Sequence, residues 1–211
     1  MRRARLSKRL LRNILACYHR ASDMDRREGL YWYETAHSDA QALADRYGVT
    51  VWQAAGVIAA LSPGARWGSN LLDADLLMAS WRAGKALPAV GVYGARNVAK
   101  AGRILHGPGD GASVLLQFNK KTGPKTWVFY QLIAEPLDSS LVCIDRHAKA
   151  IAVNRSAADS DIVRPSEYEH LADHYRHIAE LVGLLPHQVQ AITWVTWRRL
   201  DKNLAQTDLP F

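Results

Sequence analysis

A chain of 211 residues with 48% hydrophobic and 22% charged side chains has the make-up of an ordinary globular protein, long enough for one sizeable domain or two small lobes sharing a cleft. No apolar run is long enough to span a bilayer. The only cysteines, Cys17 and Cys143, sit in apolar-patterned segments without a CxxC, which excludes a disulfide framework and reads as buried thiols in a reducing compartment. The net charge of +7 is localised, because Arg2, Arg3, Arg5, Lys8, Arg9, Arg12 and Arg20 lie in an acid-free stretch and leave 20 of the 27 basic residues to balance 20 acidic ones.

Within that stretch Leu6, Leu10, Ile14 and Tyr18 recur at helical spacing, with the basic residues on the other faces. Three roles compete for it: a plain amphipathic domain helix, the same helix lying against a polyanion, and an Arg-rich presequence. Against the presequence stand the missing serine enrichment and the lack of a cleavage boundary before Asp23. Residues Ser22 to Gly29 read as a polar loop. Tyr31 to Tyr47 reads as a helix stopped by Gly48, and Thr50 as the N-cap of an apolar helix over 51–61 that Pro63 and Gly64 end. Helices follow at about 67–83, 93–106 and 111–118, with Gly107-Pro108-Gly109 as punctuation between them. A turn at Thr122-Gly123-Pro124 then opens a helix that runs to about 135. Leu141-Val142-Cys143-Ile144 is a short apolar run, ambiguous between strand and buried segment and too short to found a sheet. It delivers Asp145 to a helix over about 146–155, and helices over about 165–182 and 186–200 complete the chain. The pattern predicts an all-α fold.

Lys125 at the mouth of a hairpin and Asp145 after a buried segment make a chemically usable pair. An amine is a nucleophile only when neutral, and a carboxylate can orient it, take its proton or stabilise a cation. Each has a plainer role too. Asp145 at a helix start serves as an N-cap, and a lysine near a hairpin is solvated or touches a phosphate. Thr122, Gly123 and Thr126 can offer backbone N–H groups and a hydroxyl to an anion at a helix N-terminus, with Lys120 and Lys121 adding charge; otherwise they form a turn with solvated lysines. His170, His174 and His177 share one helical face. They lack the acidic or cysteine partner that a metal site needs, so a solvated face is the better reading. Trp52, Trp67 and Trp81 flank the 62–70 loop, and core positions account for most tryptophans.

Gly123-Pro124-Lys125-Thr126, then Ile144-Asp145-Arg146-His147, then Asn154-Arg155 is an ordered set that resembles the helix-hairpin-helix (HhH-GPD) DNA glycosylases, the superfamily of endonuclease III. LSPGARWGSNLLDADLLM (61–78) and YGARNVAKAGRIL (93–105) are similar in position to that superfamily's post-helix loop and next helix, so the likeness covers most of residues 50–155. The chain departs from it where Lys120 and Lys121 replace the hairpin's leading proline-glycine, and in lacking the four-cysteine iron–sulfur site. The resemblance implies two helical lobes, 48–140 with the hairpin and 1–47 plus 141–211, with a cleft between them on which Lys125 and Asp145 converge. It implies excision of a flipped base from double-stranded DNA by a cytoplasmic, nucleoid-associated monomer with no cofactor. Asp145 and Lys125 would be catalytic, and Lys125 would confer lyase activity. Lys120, Lys121, Thr122, Gly123, Thr126, Arg146 and His147 would hold DNA, and Ser62 and Trp67 would face the flipped base or the hole it leaves. Two other functions fit the same residues: a catalytically silent DNA-binding module, and an enzyme acting on enzymatically modified bases in defence or hypermodification.

Overall fold

The computed structural model describes residues 6–138, 140–155 and 163–207, with 201–207 as backbone only. The described residues form eleven helices and no strand, so the fold is all-α. They are α1 (Lys8–His19), α2 (Asp23–Leu30), α3 (Trp32–Tyr47), α4 (Val51–Leu61), α5 (Trp67–Arg82), α6 (Ala95–His106), α7 (Gly111–Leu115), α8 (Pro124–Ala134), α9 (Arg146–Val153), α10 (Pro165–Val182) and α11 (Pro186–Thr207). The chain divides into two compact units, Tyr33–Asp138 on one side and Met1–Trp32 with Ser139–Phe211 on the other. Among the described residues no helix is long and apolar enough to cross a membrane.

In the central unit α4 is the core element. Every residue from Gln53 to Leu61 is buried, and α5, α6, α7 and α8 pack around it. Thr50 caps it as the sequence suggests, in a reciprocal box with Gln53. The same two side chains tie α4 to the end of α6: Gln53 Nε2 donates to the Ile104 and Leu105 carbonyls, and Thr50 Oγ1 donates to the Gly109 carbonyl at 2.6 Å. Gln53 thus satisfies carbonyls that the end of α6 leaves without intrahelical partners, while Thr50 secures the loop beyond it. Gly56 lets α7 come close, since a Cβ there would sit 2.6 Å from Val114 Cγ1.

The N-terminal boundary of this unit lies earlier than the sequence reading placed it. Helix α3 packs within the central unit through five polar and aromatic links. Tyr33 meets Phe129 edge-on, His37 Nδ1 lies 2.9 Å from the Ile133 carbonyl, Asp39 accepts from the Trp67 indole, and Asp75 accepts from both Arg46 and Tyr47.

The terminal unit is built on α11, which packs against α2, α10, α1 and α9. Helix α1 lies within the basic stretch and buries Leu10, Ile14 and Cys17; Arg2, Arg3 and Arg5 lie outside the described residues. Both cysteines are buried and neither is in a disulfide, and burial pushes the Cys17 thiol up to about 12. Of the polar loop expected over Ser22 to Gly29, everything from Asp23 onward is helical, in α2. Ser22 and Asp25 form a capping box, and the helix is anchored by Asp25, only 4% exposed, which takes a forked set of bonds from Arg199 at 2.7–3.1 Å. Gly29 lies so close to α11 that a Cβ there would fall 2.4 Å from the Ile192 Cα.

Candidate functional site

The hairpin of the central unit is closed by Asn119. Its Oδ1 accepts from the Lys121 and Thr122 backbone N–H groups at 2.9 and 3.1 Å, and its carbonyl accepts from Gly123 N at 2.8 Å. Gly123 is the N-cap of α8 and supplies no side-chain cap, while Pro124, at the first helical position, has no N–H to satisfy. Thr126 Oγ1 turns back to the Gly123 carbonyl at 3.1 Å, so its hydroxyl stabilises the turn. Lys120 and Lys121 are exposed, Lys125 and Thr126 are half-buried, and the Lys120 ammonium sits 4.5 Å from the centroid of the Trp127 ring. Three lysines and a Gly-Pro helix start therefore lie within six residues of chain, with no acid among them.

Asp145 belongs to the terminal unit, and its placement rests on α10. The segment before it has no regular secondary structure, and the phenol of Tyr168 clamps it. Tyr168 OH donates to the Val142 carbonyl at 2.9 Å and accepts from Ile144 N at 3.0 Å. Burial raises the Tyr168 pKa well above that of an ordinary phenol, so the hydroxyl keeps its donated proton. Arg176 adds a bond to the Ser140 carbonyl.

Helix α9 is then held from three sides. Asn13 donates to the Ala152 carbonyl, Lys149 pairs with Glu167 at 2.6 Å, and Tyr175 OH donates to the Ala148 carbonyl. Asp145 is the α9 N-cap: Oδ1 accepts from Ala148 N at 2.8 Å, and Oδ2 has no partner among the described residues. Arg146 is exposed, and the His147 ring lies edge-on to Trp194 at 6.5 Å. Asn154 ends α9 in the left-handed region, φ 55°, and Arg155 beyond it is exposed.

The remaining candidates sit at the α4–α5 connection. Ser62 is buried, and its hydroxyl donates to the Ala59 carbonyl at 2.9 Å. Trp67 is half-buried at the start of α5, its indole N–H donates to Asp39 at 3.2 Å, and its ring meets Phe129 edge-on. The histidine face on α10 is part of the packing. His174 is fully buried, its Nε2 accepts from Ser7 N at 2.8 Å, and its Nδ1 lies 2.7 Å from the His170 carbonyl. Among the described residues no group of three His, Cys, Asp or Glu side chains could hold a metal ion.

Two residues that position this chemistry escaped the sequence reading. Asn119, four residues before Gly123, carries the ordinary signal of an Asx turn. Tyr168 carries none, because a phenol that bridges two backbone groups 24 and 26 residues away leaves no local pattern. No curated protein and no solved structure matches the chain. A family model does match, over residues 1–201, and the chain accordingly belongs to that family, a family of unknown function (DUF7178).

Proposed function

We propose that the chain is a DNA glycosylase with abasic-site lyase activity, acting as a cytoplasmic monomer on double-stranded DNA. One observation carries the reading: Asp145 ends a segment immobilised by Tyr168 and keeps one carboxylate oxygen unpartnered, among the described residues, beside a capping bond. A carboxylate so fixed suits a developing positive charge, because its orientation costs nothing further at the moment of reaction. The ordered Gly-Pro-Lys-Thr start of α8 supports the second half of the reading. The target nucleotide leaves the stack, since its anomeric carbon is out of reach in paired DNA. The neutral amine of Lys125 attacks that carbon, the bond to the base breaks, and the base departs with the electron pair. The attached nitrogen sheds its proton, the ring C1′–O4′ bond opens as O4′ takes up a proton, and the imine left at C1′ lets loss of a C2′ proton expel the 3′ phosphate by elimination. Asp145 stabilises the cationic sugar and receives a proton. Lys120 and Lys121 hold the phosphates, with Arg146 and His147 as further DNA contacts, while the Lys121, Thr122 and Gly123 N–H groups expected to join them are taken up within the turn by Asn119.

The test is a panel of duplexes carrying single lesions or enzymatically modified bases, assayed for free base, strand cleavage and borohydride-trapped adduct. The parent should yield all three on at least one substrate, and Lys125→Gln should lose the adduct. Asp145→Asn should lower base release by roughly two orders of magnitude or more. An adduct that persists in Lys125→Gln would assign the chemistry to another amine. Base release without an adduct would assign it to water.

A second reading rests on the Asp145–Ala148 bond, which is also what a purely structural N-cap makes. In a silent DNA-binding module both substitutions would leave every measured activity unchanged.

A further inference from the structure

Between α7, the hairpin and the first turn of α8, the central unit carries a groove of about 690 Å³. Leu115, Leu116, Phe118 and Trp127 give it apolar walls, and Leu116, 83% exposed, stands at its edge with no packing role. The polar residues that line it are Asn119, Lys120 and Lys121. The Asn119 oxygen is already taken by two backbone N–H groups, so what this residue and the lysines have left to offer is N–H donors.

Charge continues from the groove onto α6. Lys100 Nζ sits 5.1 Å from the centroid of the Phe118 ring, and Arg103 donates to Gln117 just before it. Arg96, Lys100 and Arg103 follow one another at i, i+4 and i+7 and span about 10 Å of helix. Burial and the two flanking arginines hold Lys100 below the ordinary lysine range, as expected where cations crowd together. A groove with apolar aromatic walls, a rim of donors, and a row of cations leading away from it calls for a flat apolar body with anions spaced along a chain.

We infer that this groove holds an unpaired nucleotide of single-stranded DNA. Its base lies against Leu116 and Trp127, its phosphate is on Lys120 and Lys121, and the continuing strand runs along Arg96, Lys100 and Arg103. A paired base is stacked on both faces and cannot enter such a groove, whereas an unpaired one exchanges a partner base for the aromatic wall. Lys120 now covers one face of Trp127. An exposed cation–π contact is weak, so an arriving phosphate draws the ammonium off the ring and uncovers the face on which the base stacks. The choice of DNA over RNA rests on the glycosylase reading; the choice of an unpaired nucleotide does not.

Fluorescence anisotropy of the full chain with a labelled oligothymidine of about ten nucleotides tests this directly. Leu116→Gln removes apolar wall without changing charge or packing, and should weaken binding roughly fivefold or more while the melting temperature and duplex affinity stay those of the parent. Lys120→Gln with Lys121→Gln should weaken binding and lower the salt slope by about 0.7 for each phosphate that is no longer neutralised. An iodouracil-substituted strand should photocross-link to Trp127. Failure of the parent to bind the oligomer, parent-like binding by Leu116→Gln, or a cross-link confined to other residues would each overturn the inference. Displacement of the strand by an equal concentration of polyglutamate would reassign the groove to an acidic peptide, and tighter binding of oligouridine would overturn the assignment to DNA. Base release measured on Leu116→Gln, a position outside the residues assigned to the glycosylase, separates the two proposals. Loss of oligomer binding with excision intact leaves the glycosylase reading standing, and a chain that binds the oligomer but excises nothing leaves the groove standing alone.

Discussion

At Asp145 a structural and a chemical role share one side chain, and substitution can divide them because they need different atoms. The cap uses a single oxygen as an acceptor for Ala148 N, which an amide supplies equally well. Stabilising a cationic sugar needs the charge. Asp145→Asn should therefore keep the stability of the parent to within about 0.5 kcal/mol, whereas Asp145→Ala should lose about 1 kcal/mol by losing the cap. Urea unfolding of the two variants checks this, and a drop in stability for Asn equal to that for Ala would mean that the cap geometry had been disturbed. Tyr168 offers a sharper case. Tyr168→Phe leaves ring volume unchanged but strips the buried Ile144 N and Val142 carbonyl of their common partner. Each unsatisfied buried group costs ~1–3 kcal/mol, so a loss of about 2–4 kcal/mol in the urea midpoint analysis is expected. Base release should fall with it, because the segment that aims Asp145 is then free to move. Parent-like stability of Tyr168→Phe beside a large loss in Tyr168→Ala would instead point to ring packing as what matters.

Among the helices, legibility in the sequence followed apolar periodicity. Helix α4 was readable to the residue because Thr50, a run of buried small and branched side chains, and Pro63-Gly64 all agree on its bounds. Helix α2 was not. DMDRREGL has no apolar stripe, and its stability comes from features that a local pattern does not show: the reciprocal Ser22–Asp25 cap, the Arg199 fork from 174 residues away, and the close approach at Gly29. The lack of a side chain at Gly29 is what lets the α11 backbone come so near. The site shows the same division. The hairpin and its lysines lie in one continuous stretch and were legible, whereas what fixes Asp145 comes from α10 and was not. Gly29→Ala gains up to about 1 kcal/mol of helix propensity but places a methyl 2.4 Å from the Ile192 backbone, which no rotamer change can relieve. The clash should win, with a net loss of about 1–3 kcal/mol on thermal or urea unfolding. A stabilised Gly29→Ala would show that α2 and α11 meet more loosely than this packing.

Over the whole chain the stability should depend on pH in two separate windows, each traceable to groups of the terminal unit. Burial holds the His174 pKa below its ordinary 6.5; the bond to the His170 carbonyl and the charge of Asp173 oppose it, and the rings of His170 and His177 add to it. The folded state therefore binds this proton less readily than the unfolded state. His174's contribution is complete above about pH 6.5 and is lost as the pH falls below it towards the depressed folded value, with a slope of at most ~1.4 kcal/mol per pH unit. For Asp25, burial pushes the pKa up, but the bonds from Arg199 and Ser22 outweigh it and the net shift is downwards; for Glu167, Lys149 and Arg164 do the same. Those two contributions are present above the ordinary carboxylate range and disappear only below about pH 4. His174→Gln separates the windows, because its amide oxygen can still accept from Ser7 N but takes up no proton. The variant should be about 1 kcal/mol less stable than the parent at pH 8, having lost the bond to the His170 carbonyl. Between pH 6.5 and 5 the gap should narrow as the parent bears the cost of protonation and the variant does not, and below pH 4 both should fall together. A gap that stays constant from pH 8 to 5 would mean that His174 takes up its proton in the folded state as easily as in the unfolded one, and the Ser7 bond would then not depend on the neutral ring.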